Sequence, residues 1–135
     1  MKSLDTLLRL KKWQVDQARR RLSELYAERS TVDRLASELE EGIRAEQAHG
    51  AQSVDGAFLY ASYIAAVQRQ RLLLEQKAQE VDEAILDARD QASRAYRAQK
   101  KYDVLAEQQR IQRHRDALKA DQKQYDETAA VRHRR

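Results

Sequence analysis

Fourteen positions between Tyr60 and Ala106 constrain this chain more than any other feature. They are 60, 64, 67, 71, 74, 78, 81, 85, 88, 92, 95, 99, 102 and 106, and their spacing alternates four and three without a slip. All but Arg71 and Gln99 are apolar or aromatic. A period of 3.5 held this long is a coiled-coil seam, narrower than the apolar stripe of a globular helix. Such a seam needs a partner of the same kind.

The first third of the chain supplies one. Positions 4, 8, 11, 15, 18, 22, 25, 29, 32, 36, 39 and 43 repeat the same alternation, and only Lys11 and Arg29 are not apolar. Ser3 is the expected N-cap of this helix, with Asp5 in its first turn. Between the seams lie the chain's only clustered turn formers, His49 to Gly56. Gly50 suits the left-handed position that ends a helix, and Asp55 suits the cap of the next, with Val54 and Leu59 as its staple. The expected fold is all-α: a long two-helix antiparallel coiled-coil hairpin with an overhanging C-terminal helix, forming one domain over 1–135. Helix one is expected over about 4–49, the turn over 50–56 and helix two over 57–128. Gly42, inside helix one, carries a cost of about 1 kcal/mol relative to Ala.

Two registers fit this turn. Facing residues have numbers that add to either 103 or 110. The second sets Leu4 against Ala106, Val15 against Ala95, Leu22 against Ala88, Val32 against Ala78 and Ala36 against Leu74, so large faces small in each layer. It also pairs Lys11 with Gln99, while the stems of Arg29 and Arg71 lie along the seam with their charges reaching water. This register is preferred. It makes Ala106 the last paired residue, leaves 107–128 as a lone polar helix, and leaves a frayed tail from Val131. The paired rod would be roughly 70 Å long and helix two roughly 100 Å.

Composition agrees with a rod: charged residues are 36% of the chain, aromatics 6%, and there is no Pro and no Cys. Disulfides and thiolate metal sites are thereby excluded. No apolar run approaches a membrane span, and Met1 to Leu10 lacks the core of a signal peptide, so a soluble cytoplasmic protein is expected. No phosphate loop, activated nucleophile or metal-ligand spacing is present, and His49, His114 and His133 stand far apart. A thin hairpin also offers no cleft to perturb its carboxylates. A non-enzyme without cofactor or small-molecule substrate is expected. Charge is uneven: residues 1–29 carry +4, residues 30–86 carry −5 and residues 87–135 carry +5. In a hairpin this makes the turn half acidic and the termini basic. Uneven solvated faces are the plain alternative.

Two surface features remain. Phe58-Leu59, Ala65-Ala66 and Leu72-Leu73 repeat every seven residues at b and c positions, facing away from helix one. They suit either a docking site or a contact between copies. Tyr63 flanks the seam beside them. Near the termini, Leu10 and Trp13 lie on the outer face of helix one among Arg9, Lys11 and Lys12, as either a partner anchor or plain surface cover.

The stretch from Leu4 through Trp13 to Leu22, LDTLLRLKKWQVDQARRRL, resembles the start of FliJ-type flagellar export proteins. The tract from Tyr60 to Val67, YASYIAAV, resembles their second helix after the turn. The resemblance covers the whole chain. It implies a component of the flagellar type III export apparatus, a stalk at the flagellar base, cytoplasmic and peripheral to the inner membrane. Its termini end would enter the hexameric export ATPase, its turn side would contact the linker of the export gate membrane protein, and it would handle export chaperones. Arg9, Leu10, Lys12, Trp13, Arg110 and Arg113 are then the expected ATPase contacts. Phe58, Leu59, Tyr63, Val67, Leu72 and Leu73 are the expected gate contacts. The resemblance also points to Leu39 and Ile43 of helix one, and Leu74 stands where relatives can show a histidine. The alternatives are a scaffold coiled coil, the stalk of a virulence injectisome, or a nucleic-acid-binding coiled coil. Against the last, the basic residues are interleaved with acids, so no nucleic acid is expected.

Overall fold

The computed structural model describes the backbone of residues 2–50 and 54–134, and the side chains of residues 3–48 and 58–134. All of it is helical: α1 is Lys2–Gly50 and α2 is Val54–Arg134. The helices pack as an antiparallel hairpin. All fourteen seam positions of α2 are buried or half-buried, and so are those of α1 except Ala36. The 3.5-residue period therefore selects the covered face almost residue for residue.

The helix ends differ from expectation. α1 starts at Lys2, so Ser3 lies inside the first turn and does not cap it; Asp5 sits in that turn, where the helix dipole favours an acid. Gly50 is the last residue of α1, and no described glycine has positive φ, so it is not the left-handed terminator. α2 already begins at Val54, which puts Asp55 within its first turn. Residues 51–53 of the expected turn lie outside the described residues, as do the side chains of His49, Val54 and Asp55. At the other end the helix continues to Arg134, past the expected stop at Thr128 and through the tail from Val131. Nothing after Gly56 breaks a helix. Gln122 donates to Asp126 one turn on, and Arg132, His133 and Arg134 place positive charge where the dipole favours it.

The chain packs as two units, Asp16–Ser93 and Met1–Val15 with Arg94–Arg135. The first is built on Leu25, Val81, Ile85 and Ala88, with Leu22 and Ala84 packed against them. Leu22 with Ala88 and Leu25 with Ile85 are layers of the 110 register. In the 103 register Leu25 would instead face Ala78, which is outside this cluster. Polar pairs between the helices agree. Arg29 Nε donates to Asp82 at 2.9 Å, Arg71 to Glu40, Lys77 Nζ meets Glu28 at 2.9 Å, and Arg89 Nε donates to the Tyr26 hydroxyl at 2.8 Å. Their numbers add to between 105 and 115, never as low as 103.

The two seam arginines therefore do more than reach water. Each turns its guanidinium out of the seam onto an acid of the other helix, and Arg29 also holds Asp33 at 2.6 Å. Exposed pairs of this kind stabilise weakly. The hydrogen bond and charge of Lys77 hold the Glu28 carboxyl below its ordinary value, and Glu28 in turn raises Lys77. The arginines also leave their own layers short of methyl groups. Between them Ala36 is exposed, and Leu74 is only half-buried. The expected filling of that layer fails, and the seam opens into grooves there.

In the second unit Leu4 and Val15 are buried. Lys11 sets its ammonium over the Tyr102 ring, 5.5 Å from the centroid. That contact suits a lysine whose stem lies along an apolar seam. Half-buried positions continue to Gln109, one turn past Ala106, and every described residue from 110 to 134 is exposed.

Candidate docking surfaces

The first unit carries ten basic and fifteen acidic side chains, a net −5; the second carries sixteen and seven, a net +9. Each unit exposes large apolar side chains that its seam does not use.

On the acidic unit, Phe58 is 74% exposed, Leu59 67%, Leu72 56% and Leu73 64%. Their heptad spacing keeps them on one side of α2, since seven residues turn almost two whole times. Leu86, one further heptad beyond the Leu72–Gln79 line, is exposed as well. The structure adds what helix one contributes. Leu35, Leu39, Tyr63, Leu73 and Leu74, with Glu38 and Gln70, line an open groove of about 460 Å³. Leu73 belongs to both groove and patch, so the apolar surface crosses from α2 onto α1. Leu35 is outside the seam series and escaped sequence reasoning. Its neighbour Ala36 lines a second groove instead, with Arg29 and Arg71. Leu39 lines the groove as a half-buried seam residue.

One expected contact residue does not fit. Val67 is 3% exposed, packed into the hairpin's own seam, and has almost no surface to offer a partner. Its role is to hold the helices together beneath the patch. Ile43 is half-buried and lines none of this groove.

On the basic unit, Trp13 is 58% exposed, and Arg9, Leu10 and Lys12 are exposed around it. Arg113 is exposed. Arg110 is also exposed but holds Glu107 through two hydrogen bonds of 2.6 and 3.1 Å, which keep that carboxyl below its ordinary value. A second feature was missed in the sequence. Val104, Ile111, Leu118 and Tyr125 follow one another at intervals of seven, all exposed, along one side of α2. Strict sevenfold spacing was the available signal. It was obscured because these residues lie two positions after the seam positions, among long polar neighbours.

Among the described residues no group of His, Asp or Glu is arranged to hold a metal, and no helix is long and apolar enough to cross a membrane. What the two surfaces offer is side-chain docking: apolar anchors on an acidic background and apolar anchors on a basic one.

Comparison with known proteins identifies the family. The family model described as Flagellar FliJ protein matches residues 1–135. Neither a curated protein nor a solved structure matches the chain significantly. The chain, matched over its whole length, belongs to the FliJ family, and with it to the components of flagellar protein export.

Proposed function

We propose that this protein is a non-enzymatic coiled-coil stalk of the flagellar type III export apparatus, linking the export ATPase to the membrane export gate. The basic unit binds the hexameric ATPase through Trp13, Leu10, Arg9, Lys12, Arg110 and Arg113, joined by the stripe from Val104 to Tyr125. The acidic unit receives the gate protein's linker on Phe58, Leu59, Tyr63, Leu72 and Leu73. Export chaperones are further partners, and the site of action is the cytoplasmic side of the inner membrane at the flagellar base.

The observation that carries this reading is the exposure of large apolar side chains on two units of opposite net charge. Apolar side chains repeated on solvent faces have a solubility cost that a partner removes. Opposite fields steer different partners to different surfaces and slow the wrong encounter. A link between two machines needs two such surfaces.

Deleting residues 107–135 tests the ATPase half. The deletion removes about a fifth of the helical residues, and mean residue helicity of the remainder should hold, because the seams end near Gln109. Stimulation of the export ATPase should fall several-fold, while binding to the gate linker stays as in the full chain. Unchanged stimulation by the truncated protein would remove the overhang from the ATPase site.

A further inference from the structure

Gly42 stands in the middle of α1, where glycine is a poor choice for helix stability. The structure gives a reason for it. A β-carbon built on Gly42 would lie 2.7 Å from the phenol oxygen of Tyr63, closer than real β-carbons approach another heavy atom. No side chain can stand at 42 while Tyr63 keeps its place. The oxygen is the far end of a side chain with two free torsions, so a methyl group at 42 would move the ring and leave the helices where they are.

The position of that ring matters to the surface beside it. Tyr63 is half-buried and forms a wall of the groove whose other apolar sides are Leu35, Leu39, Leu73 and Leu74. Leu73 carries the groove onto the outward patch. A ring swung away from α1 would enter the groove or open its wall, and either changes the shape a partner meets. A small local change of this kind affects binding strongly when the displaced group is an aromatic anchor.

We infer that Gly42 is a positioning residue for gate docking: its missing side chain seats the Tyr63 phenol and so fixes the wall of the groove that receives the gate linker. The inference rests on the reading of this patch as the gate site. It adds a residue that touches no partner and acts only through Tyr63.

Gly42→Ala is the test, read alone and with Tyr63→Phe, which removes the oxygen that the new methyl would strike. With 3-fluorotyrosine in place of the six tyrosines, fluorine NMR of the free protein follows the ring directly. In Gly42→Ala the Tyr63 line, assigned by its loss in Tyr63→Phe, should shift while the other five hold. Affinity for the purified gate linker should fall by roughly tenfold, the scale of a misplaced anchor. Tyr63→Phe alone sets the reference affinity, and the double variant should bind like Tyr63→Phe, since a ring without its hydroxyl leaves room for the new methyl. An unmoved Tyr63 line would overturn the seating. A shifted line with parental affinity, or a double variant as weak as Gly42→Ala, would overturn the role in docking. Failure of the gate reading is recognised separately: Leu72→Glu with Leu73→Glu would then also leave linker binding intact.

Discussion

Replacing Leu72 and Leu73 together by glutamate should abolish binding to the export gate linker and impair motility, with the hairpin almost as stable as before. Both side chains are more than half exposed, and neither fills the seam. Surface changes of this kind usually shift stability by about 0.5 kcal/mol or less. Binding is another matter. Two apolar anchors at the centre of an interface contribute about 2 kcal/mol each when truncated, so roughly a thousandfold in affinity is at stake. The glutamates add two charges that an apolar partner would have to desolvate. Titration of the linker by calorimetry, with thermal unfolding of the same sample, reads both effects. A large drop in unfolding temperature or a change of oligomeric state would mean that the patch is buried between copies. Parental binding with parental stability would mean that it docks nothing.

The second large effect is on stability. Leu25→Ala should cost about 2–4 kcal/mol, the range for a fully buried leucine whose neighbours relax only in part. Leu25 is 2% exposed and packs in one cluster with Val81, Ile85 and Ala88, the tightest part of the seam. Ala36 provides the internal contrast. It holds a seam position by spacing but is exposed, so Ala36→Ser should cost well under 1 kcal/mol. Urea unfolding followed by circular dichroism measures both. Equal costs at the two positions would mean that the seam is uniformly packed and that the groove beside Ala36 is not open.

The covered faces were legible in the sequence because a 3.5-residue period has one physical explanation. Register was less so. Arg29 and Arg71 find Asp82 and Glu40 in one alignment, but Glu75 and Asp33 stand ready in the other, so charge alone could not choose. Packing chooses, through Leu25 against Ile85 and Leu22 against Ala88. Helix ends were misjudged for a related reason. Gly50 and Asp55 have the chemistry of caps, but both stand within helices, Gly50 as the last residue of α1 and Asp55 in the first turn of α2. The exposed apolar patch on α2 was visible as a heptad of apolar pairs outside the seam. Its extension onto Leu35, and the seat at Gly42, were not. Both depend on which side chains of the two helices meet along the groove and on how one tyrosine ring crosses to the other helix, and these are three-dimensional facts with no periodic signature.

The two surfaces should serve two partners at once. This is tested most directly by mixing the protein with the purified export ATPase and the gate linker and measuring the mass of the complexes by sedimentation velocity. A ternary complex containing all three is expected, reduced to the ATPase complex by Leu72→Glu with Leu73→Glu and to the gate complex by deletion of 107–135. Mutual exclusion, with linker displacing ATPase from one shared surface, would contradict it.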